Sequence, residues 1–230
     1  MKKRSYKLEL LDENDIPTSD LYRNLVELDI INRLLGGYKA SRKGLEILWQ
    51  RKNDVKKLLD VGFGGGDFMR DLHAFSQKKG KEMAFYGVDL KQDCINYATE
   101  NLKNMENVQL ICADYRAISP DLLAQIEVVH CSLFIHHLTD EQIIGLFQFC
   151  RQHNCMILVN DLHRNFFAYW SIKILTALFS KSYLVKNDAP LSVLRAFRKK
   201  ELITLMEKAG FTDFEVRWSW AFRYIIVGIA

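Results

Sequence analysis

The chain lacks an apolar run long enough to cross a bilayer. Its longest apolar stretch, Phe166–Phe179, is interrupted by Lys173, and a spanning helix needs about twenty residues. Met1-Lys2-Lys3-Arg4 is followed by Ser-Tyr-Lys-Leu-Glu, without the apolar core of a secretion signal, as expected of a cytoplasmic protein. A C-x-x-C pair is missing too. The five cysteines (Cys94, Cys112, Cys131, Cys150, Cys155) are dispersed in apolar surroundings, which points to reduced thiols and not to a disulfide framework. There is no large charge excess. A net charge of +4 is that of a solvated surface and gives no reason to expect nucleic acid. Internal repeats and low-complexity segments are absent. What is present, 49% hydrophobic and 26% charged residues over 230 positions, suits one α/β domain with a full core.

The chain is organised around Lys57-Leu58-Leu59-Asp60-Val61-Gly62-Phe63-Gly64-Gly65-Gly66-Asp67-Phe68. An apolar run ends in an acid, a glycine loop follows, and a helix-like segment begins at Asp67, whose charge suits the positive end of a helix dipole. This reads as strand, turn and helix, the first βα unit of a Rossmann-like sheet. Glycine supplies positive φ and lets a ligand lie against bare backbone. The dinucleotide fingerprint G-x-G-x-x-G would put its third glycine where Asp67 stands, so the loop does not fit NAD or FAD.

Alternation continues along the chain. Strands are expected at Lys57–Val61, Ala84–Val88, Val108–Cys112, Ile126–Cys131 and Met156–Asn160, with helices at Asp67–Lys79, Gln92–Leu102 and Asp140–Arg151. This is the pattern of a doubly wound, mostly parallel sheet with helices on both faces. Before it, Leu21, Leu25, Leu28, Ile31 and Leu35 form one helical stripe ended by Gly36-Gly37, and a second helix covers Ala40–Gln50. Residues 1–16 read as polar and loosely ordered, with a short extended piece at Lys7–Leu11. After it come the apolar block Phe166–Phe179, a polar stretch, a turn at Asp188-Ala189-Pro190-Leu191, a helix at Lys199–Ala209 and a closing hairpin, Phe211–Trp220 with Phe222–Gly228. The parts are expected to form a single domain: N-terminal helices (1–54), a binding core (55–160), a hydrophobic insert (161–198) and a final helix and hairpin (199–230).

Asp60-x-Gly62-x-Gly64-x-Gly66, with Asp89 ending the second strand, Asp114 after the third and Ser132–Leu138 after the fourth, resembles the class I S-adenosylmethionine-dependent methyltransferases, small-molecule branch. The resemblance covers about residues 55–230. It implies a seven-stranded sheet whose last strand is antiparallel, with lid helices at the N-terminus and between strands 5 and 6. It also implies S-adenosylmethionine as cofactor, S-adenosylhomocysteine as product, and cofactor contacts from Asp60, Gly62, Phe63, Gly64, Asp67, Asp89, Leu90, Asp114, Tyr115 and Ser132. Asp89 would accept from the ribose hydroxyls and Asp114 from the adenine amino group. Asn32-Arg33, before the double glycine, stand where N-terminal helices close over such a site.

Methyl transfer from a sulfonium needs in-line alignment and exclusion of water, with a base for the acceptor's proton. His136, His137 and His163, at the expected ends of strands 4 and 5, are the candidate catalytic residues, and Asp161 could orient one of them. Residues marking other acceptor classes are missing. There is no (D/N)-P-P-(Y/F) after strand 4, no Pro-Cys nucleophile and no double-glutamate loop. No metal is expected, because His136, His137, Cys150, His153 and Cys155 lack zinc spacing. The aromatic lid favours a small aromatic or lipophilic acceptor, with peripheral membrane contact through Phe166–Phe179. The expected activity is O-methylation of a phenolic, hydroxyquinone or polyketide-like molecule. Alternatives are C-methylation of a quinol ring, a non-catalytic cofactor-binding protein, and a nucleic-acid methyltransferase, for which only Arg116 and Arg164 stand at the strand ends.

Overall fold

Lys57–Val61 (β1) and Val128–Ser132 (β4) are short apolar runs buried on both faces, as the middle of a parallel sheet requires. Ala84–Asp89 (β2) and Val108–Cys112 (β3) extend the sheet from β1. Met156–Leu162 (β5), Arg223–Ile229 (β7) and Asp213–Ser219 (β6) extend it from β4, giving the order β3-β2-β1-β4-β5-β7-β6 in a seven-stranded sheet. The first five strands are parallel, and β7 runs antiparallel between β5 and β6. This computed structural model describes residues 1, 3–13 and 15–230.

Alternation along the strands divides the core. Leu59, Val61, Val129, Cys131 and Val159 face Asp140–Gln152 (α6) and Lys199–Lys208 (α9). Leu58, Val128, Leu158 and Ile225 face the other way, toward Gly37–Arg51 (α2) and Asp67–Lys78 (α3). Gln92–Asn101 (α4) packs near β2 and β3, and Pro120–Leu123 (α5) is a single turn before β4. Helix α2 sits close to the sheet because Gly44 has no side chain. A Cβ there would fall within the buried Leu158 side chain and close to Ile225.

Thr18–Leu34 (α1), Phe166–Phe179 (α7) and Tyr183–Arg195 (α8) line one cavity together with Leu133 and Leu162 at the carboxyl ends of β4 and β5. Helix α8 overturns the turn expected at Asp188–Leu191. Its missing Pro190 N–H removes one helix bond, but Leu184, Val185, Leu191 and Val193 are buried. Ser182 caps the helix, and Glu27 accepts from the Lys181 and Ser182 amides. The expectation for residues 1–16 is also corrected, except at Lys2 and Asn14, which lie outside the described residues. Arg4 donates to the carbonyls of Arg195, His136 and Leu138, and pairs with Asp140 at 2.8 Å. Leu10–Asp12 form a 3₁₀ turn, and the Leu10 and Leu11 amides each donate 2.9 Å bonds to Asp188. Strand β4 begins two residues later than expected, since Ile126 closes the preceding turn and Glu127 accepts from the Lys56 and Lys57 amides.

Gly44→Val is expected to lower stability by about 2 kcal/mol, the scale of an overpacked core. Urea denaturation monitored by circular dichroism would show the midpoint fall, and an unchanged midpoint would contradict the close seat of α2.

Candidate functional site

Strand β1 is flanked by β2 and β4, so the crossovers leave it in opposite directions and open a crevice at its carboxyl end. The glycine loop forms one wall. Gly62, Gly64 and Gly66 all have positive φ. A Cβ on Gly62 would fall within the Phe134 ring, whereas one on Gly64 would meet only Leu25, at 3.5 Å. The loop is therefore braced from behind at Gly62 and bare at Gly64. Asp89 fixes its shape, since one carboxylate oxygen accepts from the Gly64 amide and the other from the Lys91 amide, each at 3.0 Å. Burial pushes the Asp89 carboxyl up from its ordinary range, opposed by these amides.

The crevice is a cleft of about 1020 Å³. Of the residues expected to hold a cofactor, Gly62, Phe63, Gly64, Asp67, Asp89, Leu90, Asp114, Tyr115 and Ser132 all line it. Asp114 is half-exposed, and its carboxylate accepts from the Arg116 amide and guanidinium, whose bonds hold its pKa below the usual range. Asp67 caps nothing. It accepts from Asn101 and pairs with Arg70, both at or below 2.9 Å. Asn32 lines the cleft and accepts from Arg223, while Arg33 points to solvent beside Asp29.

Asp60 does not line the cleft. It is buried on the α2 side of the sheet, opposite His130 in the β1–β4 register, and shares a 2.8 Å hydrogen bond with His130 Nδ1. From there a polar chain runs through Ser41 and Asn160 to Ser132. Sequence reasoning overlooked His130, although a histidine within Val128-Val129-His130-Cys131 signals a buried partner.

A second cavity, of about 310 Å³, adjoins the cleft and shares Leu11, Leu28, Leu133 and His137 with it. Its walls are apolar side chains of α1, α7 and α8 with the β6–β7 turn, among them Ile31, Ile172, Val185 and Phe222. Polar groups gather at the shared wall. His136 Nδ1 meets Asp161 at 2.8 Å, and His137 Nδ1 meets Asp12 at 2.7 Å. Burial alone would raise the Asp161 carboxyl, but the charge and hydrogen bond of His136 outweigh it and hold it low. Glu9 stands across from both imidazoles, and burial pushes its carboxyl up to about 7. Glu9 was missed because it falls in the segment read as loosely ordered. Its fixed position rests on Arg4 and Asp188, a pairing no local pattern reveals.

His163 lies outside both cavities. Its ring packs on Tyr224 at 4.9 Å, and its pKa is lowered by burial and by Arg198 and Arg164. The structure therefore separates it from His136 and His137. Arg164 is buried as well, donating to the Ala196 carbonyl and to Glu201, so it offers no cation at the strand ends.

Residues 58–154 match the family model described as a methyltransferase domain. Among curated proteins, the carboxy-S-adenosyl-L-methionine synthase of Helicobacter pylori is 21% identical over 195 residues, which cover 81% of this chain and 79% of that protein. Among solved structures, the plantazolicin methyltransferase BpumL in complex with S-adenosylhomocysteine aligns with a TM-score of 0.64 at 15% identity, covering 92% of this chain and 94% of that one. A SAM-dependent methyltransferase from Aquifex aeolicus aligns at 0.62 and 15% identity, covering 94% and 99%. The CMeT domain structure of the citrinin polyketide synthase aligns at 0.58 and 11% identity, covering 81% of this chain and 50% of that one.

Replacing Asp60 with alanine strands the buried His130 imidazole. Stability should drop by about 2 kcal/mol, read from urea midpoints, with S-adenosylmethionine affinity changed less than threefold. A large loss of affinity in a well-folded variant would return Asp60 to the ligand site.

Proposed function

We propose that the chain is a class I S-adenosylmethionine-dependent methyltransferase and that it methylates an oxygen of a small phenolic, hydroxyquinone or polyketide-like acceptor held in the smaller cavity. The observation that carries this reading is the junction of the two spaces. A cleft with the glycine loop and Asp89 adjoins an apolar chamber, and the imidazole–carboxylate cluster stands at the wall between them.

The cleft fits the cofactor. Gly64 leaves backbone uncovered by any side chain nearer than Leu25, and Asp89 presents a fixed carboxylate at the end of β2. In this reading Asp89 accepts from the ribose hydroxyls, the Gly62–Gly64 backbone and Asp67 receive the amino-acid end, and Leu90, Asp114 and Tyr115 border the adenine, with Ser132 near the methyl donor. The cofactor supplies an electrophilic methyl group on a sulfonium that leaves as a neutral thioether. The protein's own contribution is placement and dryness. Leu28, Leu133 and Ile172 exclude water around an acceptor oxygen at the junction. A phenol keeps its proton at neutral pH, its pKa being about 10, so the oxygen must be activated there, and His136 and His137 are the groups placed to do it.

The open chamber supports an enzyme over a non-catalytic binder, whose lid would fill that space. Nucleic acid finds little support, since Arg164 is buried and Arg116 is committed to Asp114. Carbon methylation of a quinol ring would use the same chamber and differs only in which nucleophilic atom faces the junction. The outer face of α7 leaves Phe166, Phe167, Trp170, Ile174 and Phe179 exposed, which suits an acceptor drawn from a lipophilic environment at a membrane surface.

Asp89→Ala should weaken S-adenosylmethionine binding at least tenfold by calorimetry, the scale of losing charged hydrogen bonds, about 1.5–3 kcal/mol. Unchanged affinity would remove the ribose assignment. Phenols and hydroxyquinones screened for S-adenosylhomocysteine release should yield an acceptor whose KM rises at least tenfold in Ile172→Trp while cofactor affinity holds. Turnover of such acceptors by Ile172→Trp at the original KM would place the acceptor elsewhere.

A further inference from the structure

Glu9, His136 and His137 come from two distant parts of the chain, and each offers one ligand atom within 4.8 Å of the others. We propose that they form a binding site for a divalent first-row transition metal, of the zinc class, at the wall of the acceptor chamber.

The arrangement is that of two imidazoles and a carboxylate converging on a gap. Glu9 Oε1 lies 3.7 Å from His136 Nε2, and Glu9 Oε2 lies 3.9 Å from His137 Nε2. Both separations are too long for hydrogen bonds. Two ligands about 2.1 Å from a tetrahedral zinc ion stand about 3.4 Å apart, so small side-chain shifts would close the cluster on an ion. Glu9 is 2% exposed, and its Oε1 is buried without a hydrogen-bond partner among the described residues. Its Oε2 already accepts from Ser192 at 2.9 Å, which leaves Oε1 as the free donor. An orphaned carboxylate oxygen in the interior is costly, and a cation in the gap would satisfy it.

The outer partners fit as well. Each imidazole has Nδ1 committed to a carboxylate, His136 to Asp161 and His137 to Asp12. That fixes both rings with Nε2 turned toward Glu9, the carboxylate–histidine–metal pattern in which a hydrogen-bonded acid orients the ligand and raises its basicity. Arg195 is the cation nearby, with Nε 3.6 Å from Glu9 Oε1. Its nitrogens are occupied by the carbonyls of Lys7, His136 and His137 and by Asp12. Asp12, Asp161 and Asp188 face Arg4, Arg195 and Arg223 around the cluster, so these neighbours leave no net positive charge to repel an ion at Glu9. Two imidazoles with one carboxylate favour zinc, iron or nickel over magnesium or calcium, which take oxygen donors.

All three ligands line the chamber, so three protein donors would leave the remaining position open to an acceptor's hydroxyl or carbonyl oxygen. This role rests on the methyltransferase reading above, whereas metal binding itself does not. An ion held there would bind the acceptor oxygen and lower the pKa of its hydroxyl, so that the acceptor would enter as its anion with the proton left in bulk solvent, and His136 and His137 would serve as ligands instead of bases.

The test uses the full chain, stripped with a chelator and titrated with Zn²⁺ alone against a chromophoric competitor. One Zn²⁺ per chain is expected, with Kd raised more than 100-fold in Glu9→Gln and about 10- to 100-fold in Asp12→Asn. S-adenosylmethionine binding by the same variants checks that they fold. Anomalous scattering at the zinc edge from wild-type crystals should place the ion between Glu9 and the two Nε2 atoms, which decides the matter even if a variant misfolds. No stoichiometric uptake, uptake unchanged in folded Glu9→Gln, or an ion found elsewhere, as at the exposed Cys112, would overturn the proposal. Since neither measurement involves an acceptor, a negative result leaves the methyl-transfer reading standing.

Discussion

Everything at the site depends on parallel strands ending on one edge. In a parallel sheet each carboxyl end delivers its next residues to the same side, and where the crossovers diverge, between β1 and β4, no connection covers the gap. The glycine loop, Asp89, Asp114 and Ser132 through Leu138 meet there although they are spread over some 75 residues of chain. Side-chain contacts, such as Asp89 with the Gly64 amide, fix the loop once it is there but do not bring these segments together. The ladder hydrogen bonds and the two apolar layers do so, and the polar groups are carried along to where the backbone ends.

That dependence explains what was legible in the sequence. Strands β1 to β5 are short apolar runs between helices, a local pattern, so the sheet, its order of elements and the line of acids at the strand ends could be read from it. The antiparallel final strand followed from the resemblance. Lining residues of the cleft could also be named in advance, from the resemblance and from their places at the strand ends. Which face it points to is a separate matter. Asp60 sits one pleat from the loop and turns toward His130, and only the register with β4 reveals that.

The acceptor side was far less legible. Its walls are built by contacts between segments about 180 residues apart, as in the bonds from the Leu10 and Leu11 amides to Asp188. Local signals misled there. Asp-Ala-Pro reads as a turn, yet burial of Leu184, Val185, Leu191 and Val193 outweighs the one helix bond that Pro190 forfeits. Glu9 lies in a polar stretch without periodicity and becomes a buried residue only because Arg4 ties that stretch to the carbonyls following β4.

The same long-range bonds have a consequence for the order of events during synthesis. The cleft is drawn largely from α1 through α6 and the strands among them, and most of its lining has emerged once the chain reaches α6. The chamber waits for Asp188, Ser192 and the β6–β7 turn, and its wall closes only when the earliest residues are captured by nearly the latest, as in the bond from Ser192 to Glu9. Closing so long a loop costs entropy that is repaid only at the final contact. The chamber is thus the part of the molecule whose wall is completed last along the chain.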